Sequence, residues 1–145
     1  MLKYDPIHKP AHYIADRAIQ PIDVIEQWHL CHHLACVVKY IARYGRKTNA
    51  FQDLRKAEWY LERELNSYAQ GFSKCQIQFA DIKLTPEEVA IDWELSPELY
   101  RALAHIKNAQ HKSFPATSIW AALQSLRAQM KLHEKVQAKN SNRGT

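Results

Sequence analysis

Between Cys31 and Asn66 the apolar residues recur every three or four positions: Leu34, Val37, Val38 and Ile41, then Leu54, Ala57, Leu61 and Leu65. That spacing places each set on one stripe of a helix. It predicts two one-sided helices, over 34–44 and 53–66, that pack antiparallel across a short basic turn. Gly45 supplies the left-handed residue that commonly ends a helix. Upstream, Pro21 suits a first helical turn, with Ile22, Ile25 and Trp28 or His29 as the apolar side. Downstream, Thr85-Pro86-Glu87-Glu88 and Ser96-Pro97-Glu98 are two helix-start signals. Leu99, Leu103 and Ile106 follow the second, and a longer helix from about Thr117 turns Ile119, Leu123, Leu126 and Met130 inward.

Little periodicity marks residues 1–20, whose two prolines predict an extended arm. Residues 67–84 break at Gly71, and their brief alternation around Gln76 is too short for a sheet. The expected fold is all-α, a small helical bundle built on a helical hairpin with an appended C-terminal helical region. The expected division is 1–70 for the hairpin domain, 71–84 for a connection, 85–136 for the C-terminal helices and 137–145 for a flexible tail.

Composition supports this and narrows the setting. Only three glycines occur in 145 residues, and an apolar content of 46% suits a packed domain rather than a disordered chain. No apolar run approaches a membrane span, and the N-terminus lacks the pattern of a signal peptide. Cys31, Cys36 and Cys75 have no metal-finger spacing and read as reduced thiols of a cytoplasm. The net charge of +5 is unevenly spread: residues 1–80 carry +3, residues 81–99 carry −5 and residues 100–145 carry +7. The acidic middle argues against one continuous nucleic-acid surface and offers a complement to the basic ends.

The candidate chemistry lies in the turn of the hairpin. Lys39, Arg43, Arg46 and Lys47 fall within nine residues without an acid between them, and Lys56 follows on the second helix. Arg offers a planar fork and Lys a mobile point charge, so the group suits a multiply charged anion such as a nucleotide phosphate. The same cations also complement a helix C-terminus, a purely structural use. Tyr40, Trp59 and Tyr60 offer rings for stacking on a base. Asp23 and Glu26, three apart, and Asp53 are carboxylates of the kind that hold Mg²⁺ beside phosphate. His29, His32, His33 and Cys36 have partial metal-ligand spacing but no HExxH arrangement and no second ligand cluster.

The motifs His12-Tyr13, Pro21-Ile22-Asp23-Val24-Ile25-Glu26, Lys39-Tyr40-Ile41-Ala42-Arg43, Gly45, Lys47, Asp53-Leu54, Lys56-Ala57 and Trp59-Tyr60-Leu61 occur in a known order. Over about residues 8–66 the chain resembles the small phage-encoded SaV-like family described as nucleotide kinases. Where that family usually shows Gly-Asn, this chain has Ala35 and Cys36. The resemblance implies a nucleotide site made of His12, Tyr13, Lys39, Tyr40, Arg43, Lys47, Lys56, Trp59 and Tyr60. It also implies a nucleoside monophosphate kinase, although no P-loop or glycine-rich phosphate loop is present. The competing readings are a nucleotide-sequestering protein of phage anti-defence and, ranked below it, a nucleic-acid or host-protein adaptor. The amphipathic hairpin and four tryptophans also predict a homo-oligomer.

Overall fold

In the computed structural model the described residues are 17–46, 48–69, 83–109 and 115–143. They form an all-α bundle, with no strand among them, of six helices: α1 (Pro21–Gln27), α2 (His32–Arg43), α3 (Ala50–Ala69), α4 (Pro86–Asp92), α5 (Pro97–Ala109) and α6 (Pro115–Arg143). The arm with His12 and Tyr13, Lys47 of the basic turn and residues 70–82 of the connection lie outside the described residues. No helix among those described is long and apolar enough to cross a membrane.

The hairpin forms as its stripe requires. Leu34, Val38 and Ile41 of α2 and Leu54, Ala57 and Leu61 of α3 are all fully buried in one core. Gly45 ends α2 at φ +79°, and a Cβ there would meet nothing within 4 Å, so glycine is required by the backbone alone. In α1 the buried side is Pro21, Val24 and Trp28, whereas Ile22 stays 53% exposed and His29 faces solvent. Of the expected apolar side, Trp28 is fully buried and Ile25 packs partly buried against the core, while Ile22 and His29 depart from it because a two-turn helix follows the face that Trp28 selects. Thr85 caps α4, its side chain accepting from the Glu88 N–H at 3.2 Å. Ser96 does the same for α5 through the Leu99 N–H at 3.2 Å. At the C-terminal end α6 runs to Arg143 and is solvent-exposed from Glu134 to Asn142, so the residues expected as a tail from 137 are helical as far as 143.

The second half of the bundle repeats the first. Adding 65 to a residue number in α1–α3 gives its counterpart: the helices begin at Pro21, His32 and Ala50, then at Pro86, Pro97 and Pro115. Val24, Trp28, Leu34, Ile41, Ala57 and Leu61 recur identically as Val89, Trp93, Leu99, Ile106, Ala122 and Leu126, all buried. Both short helices end alike. His29 and Glu94 each take φ 52°, an uncommon left-handed conformation for a side-chain-bearing residue. The next N–H, of Leu30 or Leu95, then reaches back to Ile25 O at 3.1 Å or Ala90 O at 2.9 Å. This is the Schellman end of a helix, with leucine as its apolar anchor.

The halves are joined reciprocally. The Trp28 indole N–H donates to Leu84 O at 2.8 Å, and the Trp93 indole N–H donates to Ile19 O at 2.8 Å. Ile19 and Leu84 are themselves counterparts, so each half receives the segment that leads into the other. The backbone N–H groups of Ala18 and Ile19 also donate to the Asp92 carboxylate, at 3.1 and 2.9 Å. Arg17 lies over the Trp93 ring, 5.0 Å from its centroid, and donates to the Ala42 carbonyl at the end of α2. Burial first, then the charge of Arg46, lowers the Arg17 guanidinium to about 10, with Asp92 opposing; it is still charged at neutral pH. Between the halves α3 packs on α6, where Arg127 donates to Glu58 at 2.9 Å and to Glu62 at 2.6 Å.

Truncating Leu61 should therefore cost as much as truncating a core leucine anywhere in the bundle. Leu61→Ala is expected to destabilise by about 2–5 kcal/mol, and Leu126→Ala, its counterpart, by a similar amount. Chemical denaturation of both variants checks this; an unchanged midpoint for Leu61→Ala would contradict the assigned core.

Candidate functional site

Four α2 side chains, His33, Cys36, Tyr40 and Arg43, are spaced three, four and three residues apart and so share one edge of the helix. On α3 the residues Glu64, Tyr60, Lys56 and Asp53, spaced four, four and three, likewise share one edge and run in the opposite chain direction. Antiparallel packing turns the two rows into a polar seam beside the hairpin core. His33 Nδ1 lies 2.8 Å from Oε2 of Glu64, a fully buried carboxylate. The Tyr40 and Tyr60 rings stack with centroids 6.0 Å apart, and the Lys56 ammonium sits over Tyr40 at 5.4 Å. At the turn end Arg43 Nε is 3.5 Å from the buried Asp53 carboxylate.

The seam widens into an aromatic cluster. Trp59 meets Tyr60 edge-on at 4.9 Å and remains 53% exposed, with Arg63 over its face at 5.4 Å. His32 and His33 approach Tyr60 at 6.2 and 6.1 Å, and Cys36 Sγ is 3.8 Å from His32 Nε2. The negative charge of a Cys36 thiolate, then desolvation and a side-chain hydrogen bond with Cys36, push the Tyr60 phenol above its ordinary range. An open groove of about 680 Å³ runs alongside, lined by Asn49, Phe51, Gln52, Arg55, Lys56 and Trp59.

Of the residues expected at a nucleotide site, the fold brings together Tyr40, Arg43, Lys56, Trp59 and Tyr60. Lys39 is exposed on α2, next in sequence to Tyr40 and a turn before Arg43. His12, Tyr13 and Lys47 lie outside the described residues. The three carboxylates expected for Mg²⁺ are not gathered. Asp53 is engaged by Arg43, Asp23 bonds the Gln20 N–H at 2.8 Å as part of the α1 cap, and Glu26 is exposed. Asp23 and Glu26 instead line a separate groove of about 480 Å³ with His29, Lys83 and Glu88. Among the described residues no three His, Cys, Asp or Glu side chains group as a metal site would need. Sequence reasoning missed the His33–Glu64 pair. Its signal was the polar register opposite each apolar stripe, which puts Glu64 across from His33 once the turn is fixed.

The basic turn and the seam as far as Tyr60 fall within the part of the chain that a family model matches. Residues 7–62 match the family model DUF3310, described as a protein of unknown function. That description assigns no activity, and the match ends before Glu64 and before the repeated second half. No curated protein and no solved structure matches the chain.

The contact between Cys36 and Tyr60 has a direct spectroscopic consequence. Cys36→Ala removes the charge that raises the Tyr60 phenol, so Tyr60 should ionise at lower pH in that variant. Tyrosinate absorbance titration, with Tyr60→Phe identifying the transition, checks the shift. An upward shift in Cys36→Ala would contradict the arrangement.

Proposed function

We propose that the α2–α3 seam binds a nucleotide, its phosphates at the Arg43 and Lys56 end and its base against the exposed aromatic cluster. The observation that carries this reading is the placement of cations at one end of a stacked pair of rings. Arg43 stands on Asp53, Lys56 over Tyr40, and Tyr40 on Tyr60. Asp53 fixes the Arg43 guanidinium rather than competing for phosphate, since one carboxylate neutralises one of several cations. Lys39 and Arg46 add positive charge at the same helix end. Trp59, half exposed beside the groove, presents a face on which any base can stack, a contact worth about 1–3 kcal/mol.

Phosphoryl transfer between nucleotides is the activity that the family resemblance suggests, and positioning with charge neutralisation is its chief demand. In that reading Mg²⁺ arrives with the phosphates. Storage of a nucleotide without turnover uses the same contacts and is supported by Cys36, a thiol where the resembling family has asparagine. Arg43→Ala or Lys56→Ala should each weaken nucleotide binding by tenfold to a hundredfold, since a charge-assisted contact contributes about 1.5–3 kcal/mol. Arg101→Ala, on the exposed side of α5, should leave affinity unchanged. Calorimetry with a panel of nucleoside mono- and triphosphates checks this. Normal binding by Arg43→Ala and Lys56→Ala would place the site elsewhere. Product formation in the presence of Mg²⁺ separates a kinase from a sequestering protein.

Assembly into a homo-oligomer is supported by Trp59 and Trp120, which remain 53% and 55% exposed. Light scattering at micromolar concentration should give a mass above the 16.9 kDa chain; a single-chain mass would remove the oligomer from the proposal.

A further inference from the structure

We infer that residues 85–109 and 115–133 are a second copy of the unit formed by residues 20–46 and 48–68, retained as its packing partner and stripped of its site. One chain is then a two-copy assembly with one functional site. Three independent observations carry this. The first is register: a constant offset of 65 relates the helix starts, the identical buried residues and the φ 52° positions at His29 and Glu94. Unrelated helical hairpins share a stripe, but not the same unusual backbone conformation after the same buried tryptophan.

The second is reciprocity. Trp28 bonds the carbonyl of Leu84 while Trp93 bonds that of its counterpart Ile19, the i-to-j and j-to-i exchange of a two-fold interface. On α3 and α6, Glu62 meets Arg127, its own counterpart, at 2.6 Å. A residue meets its counterpart only near a two-fold axis. Two identical units would set Glu62 against Glu62 there; the second copy replaces that repulsion by an ion pair. The α3 face is thereby made specific for the second copy over another first copy.

The third observation is what has changed. Among the described residues the buried polar side chains other than Arg17 are two counterpart pairs: Asp53 with Ser118, and Glu64 with Gln129. The acid is in the first copy and a neutral residue in the second. The α3 row and the turn end follow, since Arg43, Lys56 and Tyr60 correspond to Asn108, Ala121 and Ser125, while His33, Cys36 and Tyr40 of α2 correspond to Glu98, Arg101 and His105. In the second copy Gln129 bonds Ser96, so the fold is satisfied there without charge. Burying a carboxylate opposes stability unless its partners compensate. The second copy thus shows the same scaffold without the buried acids and without the cations of Arg43 and Lys56, which points to those groups as functional rather than structural.

The one-site statement rests on the nucleotide reading above; the copy relation does not. The test therefore has two arms, both on the full chain. In the first, Asp53→Ser and Glu64→Gln give the first copy the residues of the second. Each should fold cooperatively with a melting temperature equal to or above that of the unmodified chain. A fall as large as that of Leu61→Ala would overturn the inference, because the acids would then be structural. In the second, calorimetry at low salt with inorganic tripolyphosphate should give one site per chain. Binding should be lost in the Arg43→Asn, Lys56→Ala double variant and kept in Asn108→Ala. Two sites per chain, or loss in Asn108→Ala, would overturn the single-site assignment. Absence of any tripolyphosphate binding would contradict the nucleotide reading, and the melting data alone would then decide whether the second copy is the scaffold without its site.

Discussion

The bundle depends on the way each half buries a tryptophan that it cannot satisfy alone. An indole ring is large enough to anchor a small core, but its N–H needs an acceptor once buried. Trp28 and Trp93 both find theirs in the segment leading into the opposite half, at Leu84 and Ile19. Neither half can withdraw without exposing the other's core and leaving an indole donor unpaired. The α3–α6 contact, with Arg127 between Glu58 and Glu62, closes the same junction from the other side. This coupling keeps α2 and α3 fixed against each other, and the polar seam needs a fixed hairpin.

The seam uses what the core leaves over. An antiparallel helix pair buries one stripe from each helix, and the rows flanking that stripe must also meet. In the second half the α6 row is small or neutral, at Ser118, Ala121, Ser125 and Gln129, facing an α5 row of Glu98, Arg101, His105 and Asn108. In the first the α3 row is Asp53, Lys56, Tyr60 and Glu64, facing Arg43, Tyr40, Cys36 and His33. The packing is common to both halves, so the difference lies in chemistry rather than architecture. Charged groups set on rigid helices cost little further ordering when an anion arrives.

Much of this was legible in the residues themselves. The periodicity at Leu34–Ile41 and Leu54–Leu61, Gly45 and the start signals at Thr85 and Ser96 specify local structure by sterics and capping, and the helices follow them. On α1 the sequence points to Trp28 and Ile25 but puts Ile22 in place of Val24, because two turns give too little periodicity to separate those two when Trp28 decides the burial. The carboxylates Asp23, Glu26 and Asp53 look alike in sequence, yet one caps a helix, one is exposed and one is buried under Arg43; only tertiary packing separates those roles. The repeat escaped notice because its shared residues are few and apolar, the kind any helical stripe supplies. His33 and Glu64 are 31 residues apart, and their pairing appears only when the antiparallel register is set.

The most direct test of the proposed nucleotide site is amide chemical-shift mapping on the full chain during titration with a nucleoside triphosphate. The seam predicts saturable shifts confined to residues 39–46 and 53–63, with the second half silent apart from α6 residues that touch α3. Shifts centred on α4 and α5, or no saturable shift with any of the common nucleotides at millimolar concentration, would contradict it.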